Sequence, residues 1–214
     1  MKYKGIIFDL DGVICSTDEY HYRAWKALAD KLGISFDRER NNLLRGVSRM
    51  ASLDILLGDR WDIYSDRAKQ EMAEEKNDLY RQMLGQMSPL DLEKEVRKTL
   101  FMIRKSGMRM AIGSSSKNTP YILDRIGLEE FFDAVSDGNN ITRSKPDPEV
   151  FLKAAQMIGL QPAECLVVED AHSGVEAAVE GGFDCAAMGD AKEDTRATYH
   201  LGGFADLQRI VLPS

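Results

Sequence analysis

The chain has 214 residues, 43% hydrophobic and 29% charged, with a formal net charge of −7. That length can bury one substantial core with room for a smaller appendage. The acidic balance argues against nucleic acid as a partner, because binding it means neutralising phosphates. No apolar run approaches the ~18 residues a membrane span needs. The three cysteines, Cys15, Cys165 and Cys185, are far apart. They suit free thiols in a reducing cytoplasm rather than a disulfide framework. The three histidines, His21, His172 and His200, lack zinc-ligand spacing.

The first apolar run, Gly5–Phe8, ends in Asp9, Asp11 and Gly12. Residues 17 to about 87 then contain no convincing strand but three helical stretches, near 18–32, 37–57 and 62–85. In the first, Tyr20, Ala24, Leu28 and Leu32 form an i, i+4 stripe closed by Gly33. Beyond them, apolar runs recur at 109–112, 165–168 and 185–188. A short helix from about Thr119 to Ile126 stops at Gly127. Another starts at Asp147-Pro148, buries Val150, Phe151, Ala154, Ala155 and Ile158, and stops at Gly159. Unpatterned apolar strands alternating with helices predict an α/β fold, a Rossmann-like parallel sheet covered on both faces. The expected organisation is a core of residues 1–16 and 88–214, with an all-helical domain, 17–87, inserted after the first strand.

In such a sheet, ligands bind beyond the carboxyl ends of the strands. Asp9, Asp11 and Gly12 follow the first run; Gly113, Ser114, Ser115, Ser116 and Lys117 follow the second; Glu169 and Asp170 follow the third. Lys145-Pro146 precedes a helix at the same edge. Taken singly, each is ordinary: Asp-Gly makes turns, serine caps helices, and acids complement a helix N-terminus. Together, four carboxylates at one edge repel each other unless a cation lies among them. Oxygen donors without histidine or cysteine favour Mg²⁺ over zinc. Hydroxyls, amides and a lysine beside that ion suit phosphate. The set predicts phosphoryl transfer with a carboxylate nucleophile.

Asp9-Leu-Asp11-Gly, Ser114, Lys145-Pro146 and Glu169-Asp170 resemble, in order and spacing, the four motifs of the haloacid dehalogenase superfamily of phosphotransferases. The insertion looks like that superfamily's helical cap. Thr17, His21 and Trp25, then Arg45-Gly46-Val-Ser-Arg49 with Ser52, then Lys76-Asn-Asp and Ser114-Ser-Ser116-Lys117-Asn118 narrow the resemblance to the β-phosphoglucomutase family. That likeness implies interconversion of β-glucose 1-phosphate and glucose 6-phosphate through an aspartyl-phosphate and a bound β-glucose 1,6-bisphosphate. It implies Asp9 as nucleophile and Asp11 as general acid/base. Asp9, Asp11 through its carbonyl, Glu169 and Asp170 would hold Mg²⁺. Ser114 and Lys145 would hold the transferring phosphoryl group. Arg49, Ser116, Lys117 and Asn118 would hold the other phosphate. Thr17, His21, Trp25, Arg45, Gly46, Ser52 and Lys76 would contribute to sugar binding and closure. A cis Lys145-Pro146 bond is implied as well.

Two departures touch substrate preference: Arg45 stands where lysine is expected, and Ser16 stands where a further acid is common. The competing expectations are a sugar-phosphate phosphatase on the same scaffold and a non-catalytic sugar-phosphate sensor. The expected partner is a small sugar phosphate, with neither membrane nor nucleic acid, and the expected state is a cytoplasmic monomer.

Overall fold

The computed structural model describes residues 2–212. Six parallel strands form one sheet: β1 (Gly5–Phe8), β2 (Arg109–Gly113), β3 (Ala134–Ser136), β4 (Cys165–Glu169), β5 (Asp184–Ala187) and β6 (Tyr199–His200), in the order β3-β2-β1-β4-β5-β6. The order reverses around β1, so its carboxyl end is the switch point where a doubly wound sheet opens a crevice. The strands are buried on both faces because successive side chains feed two different cores. Ile6, Phe8, Met110, Ile112, Leu166 and Val168 point one way, to a cluster completed by helices α5 (Lys94–Lys105), α6 (Thr119–Arg125) and α9 (Leu207–Val211). Ile7, Ala111, Cys165 and Val167 point the other way, under α7 (Glu149–Met157) and α8 (His172–Glu180).

Between β1 and β2 lie α1 (Asp18–Lys31), α2 (Arg38–Asn42), α3 (Arg49–Leu57) and α4 (Asp66–Leu84). They close around Trp25, Leu28, Phe36, Leu53 and Leu56, a cluster separate from the two that flank the sheet. The stretch expected as one helix over 37–57 is two. Gly46 takes φ +73°, a left-handed conformation that suits glycine, and the Ser48 side chain accepts from the Ala51 amide at 3.2 Å to start α3 afresh. The helix expected from 62 starts at Asp66, capped by Ser65, after a 3₁₀ turn over Gly58–Ile63. The short strands β3 and β6 were not anticipated. Three and two residues long, they carry too little periodic signal to be distinguished from loop. No helix among the described residues is long and apolar enough to cross a membrane.

Candidate active site

β1 ends with the Asp9 amide donating to the Val168 carbonyl at 2.9 Å, which sets Asp9 beside the end of β4. The chain then turns at Gly12, φ +91°, where a Cβ would lie 2.0 Å from Asp170 Oδ2. Only glycine lets the Asp9–Asp11 loop approach the second acidic pair this closely. Lys145 follows the Ser144 loop, is buried, and precedes proline through a cis peptide bond, as expected. Its Nζ donates to Asp9 Oδ1 at 2.5 Å and to Glu169 Oε1. The other Glu169 oxygen accepts from the Asp170 and Ala171 amides at 2.8 and 2.9 Å.

These partners decide the charge states. Burial raises the Asp9 carboxyl well above its ordinary range; Lys145 opposes that, and Glu169 and Asp11 reinforce it. Asp170 is raised by burial and then by Glu169 and Asp9. Asp11 is pushed up to about 6 by burial, against a hydrogen bond from the Thr17 hydroxyl. Burial works against the Lys145 charge, but Asp9 and Glu169 outweigh it, so the ammonium is held firmly protonated. One lysine therefore serves a crowd of buried acids, and the deficit is one of positive charge.

A hard divalent cation fits that deficit. The donors left over are oxygens of Asp9 and Asp170 and the Asp11 backbone carbonyl. Glu169 is already committed to Lys145 and two amides, so its help to a cation is more remote. No group of three or more His, Cys, Asp or Glu among the described residues forms a ready cage. A few carboxylates with a carbonyl suit an ion that keeps several of its waters.

Gly174, at the start of α8, lies directly under Glu169: a Cβ there would sit 1.8 Å from Oε1. Gly174→Ala is expected to push Glu169 off Lys145. Overpacking of this kind costs about 1–3 kcal/mol, which urea unfolding would read as a lower midpoint with an unchanged slope.

The four acids and Lys145 form the floor of a cavity of about 760 Å³ between the sheet edge and helices α1–α4. Such a volume suits a sugar carrying two phosphates. All the residues expected to bind or react line it except Thr17, which stands behind Asp11 and holds it. On the sheet side, the Ser116 amide donates to Ser114 Oγ at 3.2 Å, leaving the Ser114 hydroxyl proton free. Asn118 bridges to the helices, accepting from Arg81 at 2.9 Å and donating to Asn77 at 2.9 Å. On the helix side, Lys76 Nζ lies 3.0 Å from His21 Nδ1 and over the rings of Trp25 and Tyr80, 4.7 and 4.5 Å from their centroids. Trp25 thus packs in the helical core and also lines the cavity. Arg49 sits half-buried, lowered first by burial.

Burial, then Arg49, lowers Lys76 to about 7, while Asp11 pulls the other way. His21 is driven well below its usual value by burial, Lys76 and Arg49. A lysine depressed in the fold destabilises it wherever the unfolded chain binds the proton and the native chain does not. Lys76 therefore contributes stability that is complete above the ordinary lysine value and lost as the pH falls toward about 7. Wild type is expected to gain more stability than Lys76→Met over that interval, as unfolding midpoints on either side of it would show. Parallel profiles would refute the buried-lysine assignment.

Sequence reasoning missed Asp18, Tyr80 and Asp190, and gave Asn77 no role of its own. Asn77 and Tyr80 follow Lys76 on α4, so helical spacing could have found Tyr80, one turn on. Tyr80 Oη is buried with no partner among the described residues. Asp18 and Asp190 meet Arg45 from segments far apart in sequence, and no local pattern marks them.

A family model described as haloacid dehalogenase-like hydrolase matches residues 3–182. The chain is 38% identical to the β-phosphoglucomutase of Bacillus subtilis, over 87% of this chain and 83% of that protein. It is 33% identical to the fructose-1-phosphate phosphatase YqaB of Escherichia coli, over 86% of this chain and 95% of that one. The crystal structure of a β-phosphoglucomutase from Clostridium difficile superposes with a TM-score of 0.91 at 33% identity, covering 96% of this chain and 93% of that one.

Proposed function

The chain belongs to the haloacid dehalogenase-like hydrolase family, and on that premise we propose that it interconverts β-D-glucose 1-phosphate and D-glucose 6-phosphate. Phosphorylated Asp9 gives its phosphoryl group to the sugar's 6-hydroxyl, and Asp11 accepts the proton that hydroxyl releases. The resulting β-glucose 1,6-bisphosphate turns end for end. Asp9 then attacks the phosphorus at C1, and Asp11 returns the proton to the departing oxygen, leaving glucose 6-phosphate and phosphorylated Asp9. Mg²⁺, held by Asp9, Asp170 and the Asp11 carbonyl with Glu169 nearby, would supply positive charge against the repulsion between carboxylate and phosphate. Ser114 and Lys145 steady the moving group. Arg49, Ser116, Lys117 and Asn118 receive the phosphate that stays on the sugar. Such transfer is largely positioning and charge stabilisation.

The observation that carries this reading is the roof of the cavity. Half-buried His21 and buried Lys76, paired at 3.0 Å, face a floor of acids. A dry, polar roof closed over a sugar favours its hydroxyl over water as acceptor. Residues 17–87 would then act as a cap, carrying Thr17, His21, Trp25, Arg45, Gly46, Arg49, Ser52 and Lys76 to the substrate. Three free, buried cysteines are in keeping with a reducing cytoplasm.

The similarity to YqaB supports a second reading, a Mg²⁺-dependent phosphatase in which water accepts from phosphorylated Asp9. Incubation with β-glucose 1-phosphate, Mg²⁺ and trace β-glucose 1,6-bisphosphate separates the two. Glucose 6-phosphate should form without stoichiometric inorganic phosphate, and chelation should stop it until Mg²⁺ is restored. Phosphate release without glucose 6-phosphate would establish the phosphatase.

A further inference from the structure

Among the described residues, Arg45 is the one cationic side chain of the helical insertion that makes an ion pair with the acidic edge of the sheet. It lies in the turn between α2 and α3, and its Nη1 contacts Asp190, with Asp170 at 3.9 Å. Its Nη2 contacts Asp18, the first residue of α1. The same turn is docked by backbone. Ser173 Oγ donates to the Arg45 carbonyl at 3.3 Å, and a Cβ on Gly46 would fall 2.4 Å from Ser173 Oγ.

Asp190 is not a loose surface acid. The Met188 amide donates to the Glu169 carbonyl at 2.8 Å, and the Ala191 amide donates to the Asp170 carbonyl at 2.9 Å. The 3₁₀ turn carrying Asp190 is thereby stitched to the strand end that presents the acidic pair. At the other end of Arg45, Asp18 adjoins Thr17, whose hydroxyl donates to Asp11. A line of polar contacts runs from Asp190 through Arg45 to Asp18, and its neighbour Thr17 holds the acid/base.

We propose that Asp190 is a positioning residue: by holding Arg45, it latches the helical insertion onto the sheet edge and thereby sets Asp11 for proton transfer. This rests on the mutase reading for its consequence in catalysis but not for the latch itself. Opposite charges on two bodies that must meet raise the population of the closed arrangement. When the latch is loosened, water gains access to phosphorylated Asp9, so phosphate release rises relative to transfer. No bond is made or broken by Asp190. Arg45 is then a closing residue as well as a cavity-lining one.

The test is hydrogen exchange at the amides of residues 43–48 in the full chain without substrate. A partly exposed ion pair is worth up to about a five-fold change in an equilibrium, so Asp190→Asn should speed this exchange about three- to five-fold. Asp190→Glu, which keeps the charge, should restore much of the protection. Arg45→Gln with Asp190→Asn should exchange no faster than Arg45→Gln alone, because partners in one contact are not additive. Salt should move wild type toward Asp190→Asn, as screening requires. Unchanged exchange in Asp190→Asn, or additive losses in the double variant, would overturn the latch. The Asp190 side chain is 56% exposed, so the variant should fold. In turnover, Asp190→Asn should raise KM for β-glucose 1-phosphate and the share of phosphate released. If wild type makes no glucose 6-phosphate, the mutase reading fails, while the exchange result still decides the latch.

Discussion

Asp9→Asn is expected to abolish turnover, with kcat down by on the order of 10⁴-fold or more, the scale seen when an enzyme loses its nucleophile. The neutral amide keeps the shape of the side chain but is too poor a nucleophile to attack phosphorus. It also removes one of the charges that Lys145 balances at 2.5 Å. The folded state should tolerate the change, because Lys145 keeps Glu169 as its partner and fewer buried acids then repel one another. Two measurements separate chemistry from collapse: the variant should incorporate no acid-labile phosphate from bisphosphate, yet unfold at least as high in urea as wild type. A variant that stays active would remove Asp9 from the role of nucleophile, whatever the substrate.

Lys145→Met should be the more damaging change to the fold. The side chain is fully buried and is the ammonium that Asp9 and Glu169 share. Taking one partner from a buried ion pair costs about 3–5 kcal/mol, because the charges left behind lose their compensation. In chelator, the loss should be largest at neutral pH and shrink as the medium is acidified. Asp9, held high by burial, can then take up a proton that the unfolded chain would not yet hold. Mg²⁺ should recover part of the loss, since it offsets the same charge. Turnover should fall by roughly 10²- to 10³-fold, as for loss of a donor to the transferring group. Equal stability of variant and wild type in chelator, across pH, would mean the acids are not stranded.

Much of the fold was legible because its strands are nearly pure apolar runs. Gly5–Phe8, Arg109–Gly113 and Cys165–Glu169 are the three strands at the centre of the sheet. Each is followed by residues unlike its own composition, so the reactive edge could be read directly off the chain. The break at Gly46 was hidden because residues on both sides have helical composition; the turn is imposed by docking against Ser173. The pairing of Lys145 with Glu169 was equally hidden. A glutamate in an acidic pair beside a strand reads as a cation ligand, and only tertiary structure shows both its oxygens engaged. Asp18 and Asp190, the partners of Arg45, were invisible for the same reason: common charged residues from separate segments acquire meaning only through proximity.

The position of β1 in the sheet also dictates an order of folding. The first strand made is the central one, and its neighbours begin at Arg109 and Cys165. During synthesis it stays without a lateral partner until more than half the chain has left the ribosome. The helices α1–α4, by contrast, gather around Trp25 through contacts close in sequence, which form quickly. Both tryptophans, Trp25 and Trp61, belong to that helical group. Their fluorescence should change in an early phase of refolding, ahead of the slower step in which the sheet closes around β1.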